Sequence, residues 1–389
     1  MIKNKVAAAS LAGAVAIFSA YWLNESFTNA LEESSINMPQ RNIKAVTIAE
    51  PVAVHNGAEA AWAGQQYKDL EKAVGKVWGV NEVVLPEPTK YVKYTDGYES
   101  RSAVNFKDGS INVETVDSRN PQRSLRDAII STALAPASPA VDQFSARDVP
   151  LNGDPALYGQ LRNQKGQAIR HAARAGEYAD ELIKTSMQKR EIKVNGVYKT
   201  VYSVNASLAS NSLKQRAAKY EKMIKRSAER YGLGERLLYA IAHTESYFNP
   251  FAVSSASAYG IMQIVPSSAG AEVYQHITGK KGRPSREYLF NPANNIEYGA
   301  AYLHLLARRY FSNIKNPASR ELCTIAAYNG GPNAVLKSFA SNPEAAIKKI
   351  NSMSSKEVYR HLVFKLPSSE TRRYVDKVLA SLGTFTAKQ

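Results

Sequence analysis

Glu235-Arg236-Leu237-Leu238-Tyr239-Ala240-Ile241-Ala242-His243-Thr244-Glu245-Ser246 is the stretch on which both fold and chemistry turn. Leu237, Leu238, Ile241 and Ala242 recur at the spacing of one helix face, which predicts a helix over 235–246 with that face in a core. Glu245 falls on the same face. Asn249-Pro250 stops the helix just beyond. A carboxyl so placed is partly desolvated, and it lies in the last turn, at the negative end of the helix dipole. Both effects favour the protonated form. A carboxylic acid that keeps its proton near neutral pH is what general-acid cleavage of a glycosidic bond uses. Read alone, the same pattern also fits a solvated glutamate at the rim of an apolar stripe.

Working outward, the chain from about Leu213 reads as helix throughout. Asn211-Ser212 predicts a cap for a helix running to Arg230, ended by Gly232 and Gly234. Pro266 is expected to open another helix, and Asn294 with Glu297 to form a capping box for one reaching Tyr310. Ser319–Tyr328, ended by Gly330-Gly331, Lys356–Lys365 and Ser369–Leu382 complete the set. The region before it alternates differently. Ala103–Phe106 and Ile111–Val116 flank Asp108-Gly109, and Ile192–Val194 and Val197–Val204 flank Asn195-Gly196, two hairpin signals. Helical segments are expected at Ser124–Leu134 and Ala168–Lys189, and a Pro-, Ala- and Ser-rich loop at Ala135–Pro150. The reading is an α+β domain over 61–205, without a visible catalytic constellation, and a helical domain over 206–389.

The 389 residues are too many for one ordinary domain, and 44% hydrophobic with 22% charged residues is globular composition. A mean hydropathy of −0.34 rules out a polytopic membrane protein. Lys+Arg exceed Asp+Glu by 50 to 34, a net charge of +16, which attracts nucleic acid, anionic lipid or an acidic wall polymer without choosing among them. At the amino terminus Lys3 and Lys5 precede an uncharged run, Val6–Leu23, which as a helix spans about 27 Å. Its flank predicts that the rest of the chain crosses the membrane. Three readings of segment 1–30 stay open: a cleaved export signal, with small residues at Ser19-Ala20 or Thr28–Ala30, an uncleaved signal anchor, and a soluble amino-terminal helix. Residues 31–60 read as a spacer. The single cysteine, Cys323, excludes a disulfide framework, a Cys-rich metal site and an amino-terminal lipid-bearing cysteine, and is expected to be a small buried residue.

Around Glu245 the motifs come in an ordered series. Glu245-Ser246-Tyr247-Phe248-Asn249-Pro250, Ala252-Val253-Ser254 and Gly260–Pro266 are followed by Asn291-Pro292, Gly299, Ala327–Pro332 and Glu370–Val375. This series resembles the signature of the soluble-lytic-transglycosylase (SLT) domain family over roughly the last 180 residues. Tyr91–Asp96 and Asn105–Gly109 resemble the N-terminal domain of the membrane-bound lytic murein transglycosylase C family. The resemblance implies an all-α lysozyme-like catalytic domain behind the α+β domain. It also implies cleavage of the bond between N-acetylmuramic acid and N-acetylglucosamine in peptidoglycan without added water. It carries the catalytic acid onto Glu245, and substrate contacts onto Ser254, Gly260, Met262, Gln263, Tyr328, Asn329 and Glu370. Several of these also have a plain structural reading: a turn cap for Ser254, a turn for Gly260, core for Met262, a buried amide for Gln263, and an exposed first-turn glutamate for Glu370. Ser257 stands where the family commonly has Gly, Ile261 where it has Leu, and the amino-terminal cysteine of the type C lipoproteins is missing.

The expected partners are peptidoglycan strands, the membrane through the amino-terminal segment, and cell-wall-assembly proteins. The expected location is periplasmic and membrane-associated, without a Cys-linked lipid. No acidic residue lies between Glu245 and Val265 to serve as a second glycosidase carboxylate. No metal or cofactor is expected. His243-Thr244-Glu245 lacks the Pro-Cys-x-x-Cys of a zinc deaminase, the six histidines are scattered, and there is no phosphate loop. Basic runs such as Lys214–Arg230 and Arg308-Arg309 read mostly as solvated helix faces, with a few residues able to line a cleft for an anionic glycan, and no groove-reading motif supports a nucleic-acid partner. The rivals are a goose-type hydrolytic lysozyme and a non-catalytic wall-binding protein.

Overall fold

The computed structural model describes residues 62–138 and 141–385; the expected signal or anchor segment and spacer lie outside them. By backbone proximity these residues form two compact units, 62–231 with 238–302, and 232–237 with 303–385.

The larger unit begins with α1 (Trp62–Trp78) and β1 (Lys90–Thr95), β2 (Ser100–Asn105) and β3 (Ser110–Thr115). Then come α2 (Pro121–Leu134), α3 (Ala172–Ser186), β4 (Gln188–Val194) and β5 (Val197–Ser207). The strands form one antiparallel sheet in the order β1-β2-β3-β5-β4. The β2–β3 turn closes because the Asp108 carboxylate accepts from the Ser110 amide at 2.8 Å and Gly109 takes φ 76°. Asn195 (φ 50°) and Gly196 (φ 86°) both adopt the left-handed region, the twist-matched turn between β4 and β5. α2 and α3 bury Leu125, Ile129, Ala175 and Tyr178 on one sheet face against Val104, Ile111, Val113 and Val204. The other face holds ions: Arg101 Nε donates to Glu114, its register partner, at 2.7 Å, and lies 4.1 Å above the Trp78 ring.

The segment predicted as one helix from Ser212 to Arg230 is two, α4 (Ser212–Lys219) and α5 (Glu221–Tyr231). The chain breaks at Tyr220 (φ −105°, ψ 2°), whose buried ring stacks on Phe248, 6.2 Å centroid to centroid. Most basic residues of this run are exposed as expected, and Arg216, 3% exposed, is the buried exception. Lys219 stays exposed and donates to Ala156 O at 2.7 Å.

Gly232 (φ 61°) precedes α6 (Glu235–Ser246), the predicted helix. Val265–Ser268 form a turn rather than the expected helix start, and α7 spans Ala269–Thr278. Next along the chain are α8 (Arg286–Phe290) and α9 (Pro292–Leu305). The expected capping box at Asn294 is not the cap. Asn291 Oδ1 accepts from the Ala293 and Asn294 amides, and Glu297 turns into the core. There its carboxylate receives Arg230 at 2.7 Å, Ser227 at 2.9 Å and Tyr231 at 2.9 Å. A buried carboxylate is tolerable because every one of these partners donates to it.

The smaller unit is built from α10 (Pro317–Gly330), α11 (Pro332–Phe339), α12 (Pro343–Asn351), α13 (Ser355–Lys365) and α14 (Ser369–Thr384). α10 is buried nearly all round, as a helix packed on α11, α13 and α14 must be. Cys323 lies fully buried within it, and burial pushes its thiol above the usual range.

Replacing Glu297 with Ala strands Arg230 and two hydroxyls. The expected loss is about 3–5 kcal/mol, read as a melting temperature lowered by roughly 10 °C; an unchanged transition would show that the pair contributes nothing.

Candidate active site

Glu245 is half-buried in the last turn of α6, and the backbone immediately after that turn is unusual. Tyr247 (φ 53°) and Phe248 (φ 58°) are consecutive left-handed residues, a conformation costly for bulky side chains unless the surroundings enforce it. The enforcement is visible. Phe248 is fully buried, between Tyr220 on one side and Tyr239, 6.2 Å away at 62°, on another. Ser246, also fully buried, donates from Oγ to Ile261 O at 2.7 Å, tying the end of α6 to the loop that carries the Gly-Ile-Met-Gln motif.

That loop is a small closed turn. Tyr259 and Ile264 exchange both main-chain hydrogen bonds at 3.0 Å, leaving 260–263 at the tip. Gly260 (φ 75°) is there for space as well as conformation: a Cβ would meet the Asn295 side chain and Leu289 O at 2.6 Å. Asn295, fully buried on α9, holds the turn from beneath. Its Nδ2 donates to Tyr259 O at 2.8 Å and Leu289 O at 2.9 Å, and its Oδ1 accepts from the Met262 amide at 2.7 Å. Met262 is fully buried, its side chain lying over Gly299. Gln263 (φ 48°) is half-buried, and its Nε2 donates to Gly260 O at 2.9 Å. Ser254 is half-buried too. Its Oγ accepts from the Ala258 amide at 3.1 Å, closing a turn in which Ser257 sits at φ 61°. A Gly at position 257 would take that angle without strain, which explains why the resembling family commonly has one.

Glu245, Ser254, Gly260, Met262 and Gln263 thus belong to one compact unit, and Tyr328, Asn329 and Glu370 to the other. In the latter, Asn329 at the end of α10 accepts from Thr371 Oγ1 at 2.8 Å and reaches the exposed Glu370 carboxylate at 3.4 Å. Tyr328 is half-buried beside it in sequence. Gly330 gives α14 room, since a Cβ there would meet the Thr371 side chain at 2.9 Å.

Sequence reasoning misses Asn295, and it finds Ser246 and Asn249 only as motif members and a helix stop, not as the buried residues that tie the chain together. A fully buried serine and asparagines leave no periodic signal, because polar residues at core positions read as breaks in the pattern. In sequence, His243 suggests only a metal ligand. In the fold it lies against Tyr247, 4.3 Å centroid to centroid with the rings tilted by 60°, and burial, followed by the Arg216 charge, pushes its imidazole down to about 4.

This geometry predicts two outcomes. Gly260→Ala should cost about 3 kcal/mol or more, by steric overlap plus a left-handed alanine, and a denaturation midpoint equal to wild type would refute the packing account. For His243 the folded pKa lies below the unfolded one, so the unfolded chain takes up the proton first on acidification. Stability is therefore full above about pH 6.5 and declines until about pH 4. The loss is on the order of 3 kcal/mol, and His243→Gln should flatten that part of a urea-midpoint-against-pH curve.

Comparison with known proteins adds sequence kinship to this geometry. Residues 59–219 match the family model described as "Membrane-bound lytic murein transglycosylase C, N-terminal domain", and residues 222–351 match the transglycosylase SLT domain. A membrane-bound lytic murein transglycosylase C of Serratia proteamaculans is 45% identical over 307 residues, covering 78% of this chain and 84% of that one. The corresponding protein of Klebsiella pneumoniae is 44% identical over 317 residues, covering 81% and 87%. Among solved structures, the 70 kDa soluble lytic transglycosylase of Escherichia coli is 28% identical, covers 42% of this chain and 23% of its own, and has a TM-score of 0.32. With kinship spanning both the α+β region and the helices around Glu245, the chain belongs to the membrane-bound lytic murein transglycosylase C family.

Proposed function

We propose that this chain is a peptidoglycan lytic transglycosylase, a lyase that cuts the N-acetylmuramic acid–N-acetylglucosamine bond with Glu245 as its one acid and base. The observation that supports this most is the placement of Glu245. It is a half-buried carboxyl in the final turn of α6, succeeded at once by a segment locked into left-handed backbone. In the first half of the reaction the carboxyl gives its proton to the glycosidic oxygen as the bond to muramic C1 breaks. In the second half the carboxylate takes the hydrogen of the muramic C6 hydroxyl, whose oxygen bonds to C1 and closes a 1,6-anhydro ring. No water is consumed, and Glu245 ends in the protonation state in which it began. The muramic N-acetyl group shields C1 between the two halves.

Ser254, Gln263, Tyr328, Asn329 and Glu370 are the proposed saccharide contacts. Ser254 can donate its hydroxyl hydrogen, and Gln263 offers both donor and acceptor to sugar amides and hydroxyls. Gly260 and Met262 serve by shaping the turn that presents Gln263. We assign the α+β domain to 61–205 and the catalytic domain to 206–389. The relatives are named membrane-bound. We place the catalytic domain on the periplasmic side, linked to the bilayer through segment 1–30 and the spacer. Among the described residues no helix is long and apolar enough to cross a membrane. Cell-wall-assembly proteins remain proposed partners.

The test is mass spectrometry of purified peptidoglycan digested by the full chain. Anhydromuramyl ends are expected; reducing ends would instead identify a hydrolytic lysozyme. Glu245→Gln keeps the shape and cannot donate, so turnover should fall by about 10²–10⁴-fold. Undiminished cleavage by that variant would remove Glu245 from the mechanism.

A further inference from the structure

In the segment Tyr247–Val253, directly after the proposed acid, Asn249 O and Ala252 O take the amides of Ala252 and Gly260, while the carbonyls of Tyr247, Phe251 and Val253 face donors from the region before α6. Arg216 Nε donates to Tyr247 O at 2.9 Å. Gln143 Nε2 donates to Phe251 O at 2.7 Å. The Tyr67 hydroxyl lies 3.1 Å from Val253 O and 2.8 Å from Pro86 O, with one hydrogen to give. In the reverse direction, Asn249 Nδ2 donates to Pro88 O at 2.8 Å, and the Phe251 ring lies against Tyr91 at 4.6 Å. Tyr67, Gln143 and Arg216 all fall within the 59–219 match to the N-terminal family domain.

Arg216 is the informative member. Its other two donors go to Gln160 Oε1 at 2.8 Å and Phe106 O at 2.9 Å, and its guanidinium lies 5.0 Å from the Phe106 ring. Among the described residues no carboxylate pairs with it. A buried cation without a counterion is expensive, and an apolar residue would glue the region together at lower cost. What only a guanidinium supplies is three directed donors in a rigid fork, one of them aimed at the first carbonyl after the helix of Glu245. Gln143 is likewise fixed from behind. Its Oε1 accepts from the Val92 amide at 3.3 Å, and Lys93 holds its loop through Asp142 O at 2.6 Å and Ser145 O at 2.8 Å.

The geometry points to Tyr67, Gln143 and Arg216 as positioning residues of the reaction: the N-terminal region grips the 247–253 carbonyls and so sets where the Glu245 carboxyl is aimed. This rests on the transglycosylase reading of Glu245. The N-terminal region is then part of the catalytic machine rather than a spacer, and a catalytic helix without it would fold with its acid misaimed.

The test uses the full chain with Tyr67→Phe, Gln143→Leu and Arg216→Lys, assayed on peptidoglycan at a temperature well below each variant's melting transition. Tyr67→Phe removes one oxygen and keeps the ring, so it reports even where the other two fold poorly. Misaiming lowers kcat about 10–100-fold while KM stays within about twofold, and it displaces the limbs of the kcat/KM-against-pH profile, which report the acid. Melting temperatures lowered with kcat and pH profile unchanged would overturn the proposal, leaving these contacts purely structural. Wild type and Glu245→Gln run in the same assay. If wild type yields no anhydromuramyl product, the transglycosylase reading fails and this proposal with it; if wild type is active and Tyr67→Phe matches it in kcat and pH profile, this proposal alone fails.

Discussion

The buried guanidinium of Arg216 is the constraint around which the catalytic region is arranged. Its charge is costly where it lies, and burial pushes its pKa down to about 10, still far above neutrality. The cation therefore stays, and its three hydrogen bonds must stay with it. Each reaches a different part of the chain: the end of β2 at Phe106, the irregular region at Gln160, and the residue after α6 at Tyr247. Removing any of these partners would leave a charged donor dry, so the three parts are coupled more tightly than apolar contact would couple them. Burial lowers the pKa of His243, and the same charge adds to that effect, so the imidazole against Tyr247 stays neutral.

Against that anchor the left-handed pair Tyr247–Phe248 becomes intelligible. Two adjacent non-glycine residues in that region are held at a cost on the order of 1–3 kcal/mol each. The turn they make leads the chain from the end of α6 into the stretch whose carbonyls Arg216 and Gln143 hold and Tyr67 approaches. A second lock works from the opposite side. Ser246 is tied to Ile261, and Asn295 satisfies the main chain on both sides of Gly260. The last turn of α6 is thus pinned by two independent sets of buried polar contacts. Such networks specify one arrangement where apolar packing alone would tolerate several.

Much of this is legible in the sequence, and the exceptions have physical reasons. Both hairpins are readable because Asp108-Gly109 and Asn195-Gly196 leave few alternatives to a tight turn. α6 is readable because its apolar residues recur at helical spacing. β1 is not, since Tyr91, Val92, Lys93 and Tyr94 are all buried and a strand covered on both faces loses its alternation. α1 escapes the sequence reading although Tyr67, Leu70, Val74 and Trp78 trace a helical stripe. The break at Tyr220 is invisible, because residues on both sides of it favour helix and only the docking of its ring on Phe248 interrupts them. Glu245 can be singled out from local pattern and the motif series. Arg216 cannot, because a basic residue on an amphipathic helix reads as solvated until the partner that buries it is known. Local sequence records the proposed acid; the residues that hold its neighbourhood come from far along the chain and record themselves only in three dimensions.

A reaction run by one carboxyl asks more of position than of chemistry. With two carboxylates, acid and nucleophile are separate groups, and each can be aimed at its own atom. With one, the same oxygens must meet the glycosidic oxygen and then the C6 hydroxyl, two targets on the same sugar within one turnover. The side chain has to swing little and start from the right place, because a misplacement of about 1 Å can cost 10²-fold in rate. A glutamate in a helix's final turn is poorly placed for this by itself, since the last turn frays and its carbonyls lack partners within the helix. Arg216 supplies a fixed partner to the first carbonyl beyond that turn and Gln143 to Phe251 O farther on, while Tyr67 shares its one hydrogen between Val253 O and Pro86 O. On the proposed mechanism, the N-terminal region thereby contributes to catalysis, by removing the freedom that a lone acid cannot tolerate.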